Sequence, residues 1–121
     1  MIQTQNSKTY DLGDRTLEFA ECIRNFVNLL PFSITNNEYG KQLVRASGSV
    51  GANYIEAEEA LSKKDFFHRI KISRKESKES RFWLYLCEPK QNQMKEKEIL
   101  IREATELMKI FGSIVKQQPE V

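Results

Sequence analysis

The stretch from Leu43 to Leu86 limits the fold more than any other part of this chain. Its first half, VRASGSVGANYIEAEEA, is crowded with small residues at helical spacing. Its second half, SKKDFFHRIKISRKESKESRFWLYLC, carries a basic stripe that runs into five consecutive large apolar residues, Phe82, Trp83, Leu84, Tyr85 and Leu86. Two helices joined by a short link near Leu61 make an antiparallel hairpin. In that register Gly51 lies beside Ser73 and Ser47 beside Ser77. Small then faces small, which predicts a helix pair at or below the usual interaxial distance of ~8–10 Å. Gly48 and Gly51 each cost about 1 kcal/mol relative to Ala inside a helix. Such a cost is expected where backbones approach closely; a local kink is the other reading.

The rest of the chain repeats the helical pattern. Asp11 can cap a first helix whose seam is Leu12, Thr16, Phe19, Ile23, Phe26 and Leu30, and Pro31 stops it. Thr35 with Glu38 reads as a capping box for the second helix, with the seam Leu43, Ser47, Val50, Tyr54, Ala57 and Leu61. Ser62 with Asp65 caps the third, whose seam runs Phe66, Ile70, Ser73, Ser77, Ser80, Leu84 and Cys87. After Pro89 and the polar link KQNQ, a fourth seam runs Leu100, Ala104, Leu107, Phe111 and Ile114. The helices are expected over about 11–30, 36–60, 62–88 and 93–116 of the 121 residues. That length predicts a single domain over 1–121. With only 5 Gly and 3 Pro, long helices fit better than a turn-rich sandwich. The expected fold is all-α, an up-down-up-down four-helix bundle.

The N-terminal MIQTQNSKTY is polar; it is expected to fray and does not read as a secretory signal. No run approaches the ~18 apolar residues of a membrane span. Cys22 and Cys87 lie far apart within helical patterns, with no CxxC, and read as reduced thiols. A cytoplasmic protein with no membrane partner is the expectation.

Two features exceed what one bundle needs. The first is apolar surface. Five large apolar residues in a row surround a helix, and a bundle buries only one stripe of it. The fourth helix has a second apolar line, including Ile101 and Met108. Phe82, Trp83, Tyr85, Ile101 and Met108 are therefore expected at an oligomer interface. The second feature is charge. The net charge is only +2, but residues 62–88 hold eight Lys/Arg against four Asp/Glu, a balance of +4. Lys71, Arg74, Lys78 and Arg81 repeat at 3–4 spacing and share one face, with Phe67 and Tyr85 at its ends. Phosphate backbones would offset the mutual repulsion, and a flanking aromatic could stack on an unpaired base. The alternatives are pairing with Glu56, Glu58 and Glu59, or plain solvation. Lys41 and Arg45 would extend a nucleic-acid-binding surface; alternatively Arg45 bridges Glu79 and fixes the hairpin register. Asn53 is expected to hydrogen-bond within the hairpin.

Residues 45–79 resemble the bacterial four-helix-bundle family of 23S rRNA-intervening-sequence proteins, related to the accessory variability proteins of diversity-generating retroelements. Arg45, Ser49, Val50, Asn53 and Glu56 match a first motif, R-x-x-x-S-I-x-x-N-I-A-E-G. Ser62 to Phe66 match S-K-K-E-F with Asp65 for Glu, and Ile72, Arg74 and Glu79 match I-A-R-G-S-x-x-E. Ala57 departs from the first motif, and Ser73, Lys75 and Glu76 depart from the third. The resemblance implies a bundle that assembles as a homo-oligomeric ring of five and has no enzymatic activity. For the retroelement members it implies nucleic-acid binding (RNA or DNA) and a reverse transcriptase partner. Nothing in this chain itself points to such an enzyme.

Other chemistry finds little support. His68 with Asp65 gives one D-x-x-H, whereas di-iron bundles use two such motifs and two further carboxylates. The serines Ser73, Ser77 and Ser80 have no base at hand, and no glycine-rich strand-to-helix turn awaits a nucleotide. No cofactor or metal is expected. The sequence reading is a non-enzymatic oligomer that binds nucleic acid through its third helix. The competing reading is an oligomeric protein-interaction scaffold with no nucleic-acid role.

Overall fold

The computed structural model describes residues 10–119. The expectation of a frayed N-terminal segment falls on residues 1–9 and so lies outside the described residues. Each helix starts where a side chain can take up free backbone N–H groups. Helix α1 (Leu12–Asn28) follows Asp11, whose carboxylate accepts from the Asp14 N–H at 2.8 Å while the Asp14 carboxylate accepts from the Asp11 N–H at 3.2 Å. Helix α2 (Ile34–Glu58) is capped by Ser33, whose hydroxyl accepts from the Asn36 N–H at 2.9 Å. The expected Thr35–Glu38 box is thus displaced. Ser33 is the first residue after Pro31 able to cap, and the solvent-facing Ile34 gave the apolar pattern no sign of the earlier start. Helix α3 (Lys63–Leu86) is capped by Ser62 through the Asp65 N–H, as expected. A 3-10 turn, Gln91–Gln93, leads into α4 (Met94–Val115).

All neighbouring helices run antiparallel, and specific contacts fix each register. Along α1 and α2, Gly40 meets Val27 and Gly51 meets Thr16. Between α2 and α3, the Ser73 hydroxyl donates to the Val50 carbonyl at 2.9 Å and Arg69 donates to Asn53 at 2.9 Å. Between α3 and α4, Arg81 donates to the Thr105 hydroxyl at 3.1 Å. The circuit closes between α4 and α1 through Arg15 and Glu103 at 2.6 Å and through Gln93, which donates to the Phe26 carbonyl at 3.4 Å. This is the expected all-α up-down-up-down bundle. Its centre is built from Phe19, Ile23, Phe26, Leu43, Val50 and Ile70 with Leu84, Leu107 and Phe111. Leu61, expected at the end of the second seam, stands in the α2–α3 link and faces solvent.

One end of the bundle is held by a buried Asn36. Its amide donates to the Pro31 and Glu88 carbonyls at 3.0 Å each, and its side-chain oxygen accepts from the Glu88 N–H at 2.9 Å. The α1–α2 and α3–α4 links are tied together by this one side chain.

The hairpin register is as expected, but Gly51 serves another neighbour. A Cβ on Gly51 would stand 3.0 Å from the Thr16 hydroxyl oxygen, so Gly51 admits α1 rather than α3. The α2–α3 approach rests on the serines instead. Ser73, Ser77 and Ser80 are fully buried. Ser77 and Ser80 satisfy their hydroxyls on the Ser73 and Glu76 carbonyls at 2.9 and 2.8 Å.

Candidate functional site

Helix α3 has two unlike flanks. Toward α2 it turns Arg69, Glu76 and Trp83; toward α4 it turns Arg74, Arg81 and the outer line Lys71, Lys78 and Tyr85. The second flank forms one bank of a solvent-open trough of about 430 Å³. Arg74 and Arg81 line this bank, Lys109 of α4 and Lys116 just past its end line the other, and Thr105, Met108, Gly112 and Ser113 complete the trough. Gly112 lowers the floor beneath Arg74, whose Nε would lie 3.8 Å from an added Cβ.

The trough's electrostatics follow from what these cations do not touch. Among the described residues, four cationic side chains line it and no carboxylate does. Among the described residues, Lys71, Arg74, Lys78 and Lys116 take part in no ion pair or side-chain hydrogen bond. Arg81 is half-buried and held by Thr105, which itself donates to the Ile101 carbonyl at 2.9 Å. Lys109 sits 3.7 Å from Glu106, an exposed (i, i+3) pair worth a few tenths of a kcal/mol. The expected alternative, neutralisation by Glu56, Glu58 and Glu59, does not occur within the subunit.

Lys41 and Arg45 lie elsewhere. They stand on the outer face of α2, on the far side of α3 from the trough, so they do not join it. Arg45 forms no ion pair with Glu79 among the described residues; its field falls on Glu76. That carboxylate has one oxygen buried without a hydrogen-bond partner. Burial, then Glu79, pushes its pKa up, against the opposing pull of Lys75 and Arg45. Asn53 does bond within the hairpin, accepting from Arg69 and donating to the Ser49 carbonyl at 3.0 Å.

The residues expected at an oligomer interface differ in exposure. Phe82 and Tyr85 are 55% and 60% exposed. Trp83 is half-buried, stacked on Tyr39 of α2 with ring centroids 5.9 Å apart. Ile101 packs against the core and Met108 lines the trough. The N-terminal end of α2 reaches the C-terminal end of α3, so one side of the aromatic run is already covered.

Sequence reasoning missed the α4 bank. Thr105, Lys109, Gly112 and Lys116 repeat at 4-3-4 spacing and so share a face, a signal diluted by the carboxylates along the same helix. A second cleft lies between α1 and α4, with Cys22 and Glu96 common to both of its halves of about 370 and 340 Å³. Burial, aided by surrounding carboxylates, raises the Cys22 thiol pKa, and burial pushes Cys87 up to about 11. Both thiols are poor nucleophiles near neutral pH. Tyr10, donating to Glu18 at 2.6 Å, is pushed up to about 12 by that bond. Among the described residues no group of three or more His, Cys, Asp or Glu side chains could hold a metal, and no helix is long and apolar enough to cross a membrane.

Residues 8–113 match the model of the 23S rRNA-intervening sequence protein family. A crystal structure of a protein of unknown function from the S23 ribosomal protein family of Bacteroides thetaiotaomicron VPI-5482 has a similar fold, with a TM-score of 0.76. It is 33% identical to this chain, and the match covers 88% of this chain and all of the other. No curated protein matches the chain.

Proposed function

We propose, from the premise that this chain belongs to the 23S rRNA-intervening sequence protein family, that it is a non-enzymatic helical protein that binds the phosphate backbone of RNA or DNA along the α3–α4 trough. One observation carries the reading: among the described residues, four cations converge on an open trough with no carboxylate in its lining. Like charges repel one another, and a polyanion turns that cost into binding by releasing its counterions. Lys71 and Lys78 widen the basic bank, and the exposed Tyr85 continues it with a ring able to stack on a base. Phosphate contacts carry no base code, so recognition here is largely independent of sequence.

The chain is further read as a homo-oligomer, on the strength of exposed Phe82 and Tyr85. The family resemblance would make the assembly a ring of five. Repeating the trough around a ring adds avidity to a weak single contact. A protein-interaction scaffold remains the second reading because the same two aromatics are an apolar docking point that needs no phosphate.

Fluorescence anisotropy of labelled single-stranded RNA and duplex DNA, titrated with the protein at several salt concentrations, tests the proposal. Binding should weaken steeply with salt. Each trough cation removed should lower the slope of log K against log salt by about 0.7 for a single strand. A well-folded protein that fails to bind at low salt, or whose slope ignores Arg74→Ala and Lys109→Ala, would overturn the reading and favour the scaffold.

A further inference from the structure

The outer face of α2 carries an unpartnered seam. Lys41, Arg45, Gly48, Ala52, Ile55 and Glu59 follow 4-3-4-3-4 spacing, the rhythm of a helix that packs against another helix. All six are exposed. This stripe is separate from the buried seam of the same helix and shares no residue with the basic trough.

Gly48 is the first sign that this face has a partner. The other described glycines of the chain each have a neighbour within 4 Å of an added Cβ; Gly48 has none. Nothing among the described residues requires a glycine there, although it costs about 1 kcal/mol in a helix interior. Ala52, one turn on, keeps the surface low. Val44 and Ile55 flank this hollow with 46% and 59% of their surface in water.

The second sign is the order of the charges. The stripe is basic at its N-terminal end, small and apolar in the middle, and acidic at its C-terminal end. Arg45, Glu56 and Glu59 have no side-chain partner among the described residues, and Lys41 has only an exposed contact with Glu38 at 3.7 Å. We propose that this face of α2 packs antiparallel against the same face of α2 in a second copy of the chain, across a two-fold axis near Gly48 and Ala52. A second copy run antiparallel places Gly48 against Ala52, Val44 against Ile55, Lys41 against Glu59, and Arg45 against Ile55 and Glu56. Every charge meets its opposite and each pair occurs twice. A parallel partner in the same register would set Arg45 against Arg45 and Glu59 against Glu59. The contact is isologous and closes on itself. In a protein that also forms rings through another surface, it would join two rings without enlarging either.

Disulfide trapping reads this geometry directly. Full-length Gly48→Cys and Ala52→Cys proteins, each also carrying Cys22→Ser, are refolded together and separately and then oxidised under native conditions. The mixture should yield covalent dimer linking position 48 to position 52 severalfold more than either protein alone. Absence of any link, or like-with-like links as abundant as mixed ones, would overturn the antiparallel pairing. The charge order is tested without cysteines, by sedimentation equilibrium. Arg45→Glu should weaken self-association about tenfold, because the pair it breaks occurs twice. Adding Glu56→Arg should restore it. Unchanged association in the single variant, or no recovery in a double variant of native helicity, counts against the proposal.

Discussion

The two flanks of α3 are a few residues apart in sequence and opposite in physics. On the flank facing α2, two polar side chains are held inside the protein: Ser73 reaches the Val50 carbonyl and Arg69 reaches Asn53. On the flank facing α4, Arg74 and its neighbours stand over an open trough with no acid in its lining among the described residues. The first arrangement holds two helices in register. The second adds little to stability and leaves charge available to something outside the subunit. A basic residue on a helix therefore says nothing about binding until its flank is known.

The sharpest way to break this contrast is to overfill the packed flank. Ser77 has no exposed surface, and Ser77→Leu should destabilise the protein by about 2–3 kcal/mol, measured by urea denaturation, through overpacking between α2 and α3. A change under 0.5 kcal/mol would mean the pair is looser than its buried serines imply. On the open flank, Arg74→Ala with Lys78→Ala should leave stability within about 0.5 kcal/mol. The same double variant should lower the single-strand salt slope by about 1.4, two contacts' worth. A large loss of stability would show those side chains to be structural after all.

Glu76 offers a smaller test from within the packed flank. Its folded pKa is raised by burial, so the folded state holds the proton more tightly than the unfolded chain. Its stabilising contribution is complete below the unfolded glutamate pKa and is lost as pH rises through the raised folded value. Glu76→Gln should therefore stabilise the protein at neutral pH by about 1 kcal/mol or less, with the gain vanishing in acid. Equal effects at pH 3.5 and pH 7, compared by thermal melts, would remove the desolvation argument.

A last contrast separates two glycines of α2. Gly48→Ala should raise the melting temperature of the subunit, since a Cβ there meets nothing and helix propensity favours Ala by about 1 kcal/mol. Gly51→Ala should give no such gain, because its Cβ would press on Thr16. Equal gains at both positions would mean that α1 yields easily.

Most of the bundle was legible because helix seams are local. The 3–4 spacing of Phe19, Ile23 and Phe26, or of Ile70, Ser73 and Ser77, needs no knowledge of the partner helix. Even the α2–α3 register followed from link length and antiparallel geometry. The start of α2 was misread because Ser33 and Thr35 can both cap a helix and solvent-facing Ile34 breaks the pattern between them.

What the sequence determined by itself was the set of helices, their buried faces and the basic line on α3, all consequences of a 3.6-residue repeat acting within one segment. Tertiary structure alone decided which neighbour each face meets. It turned Gly51 toward Thr16 and covered Trp83 with Tyr39. It also brought Lys109 and Lys116 opposite Arg74 and Arg81, and left Arg45 on another face. Such pairings depend on how helices rotate about their own axes when four seams close on one core, and no single helix contains that information.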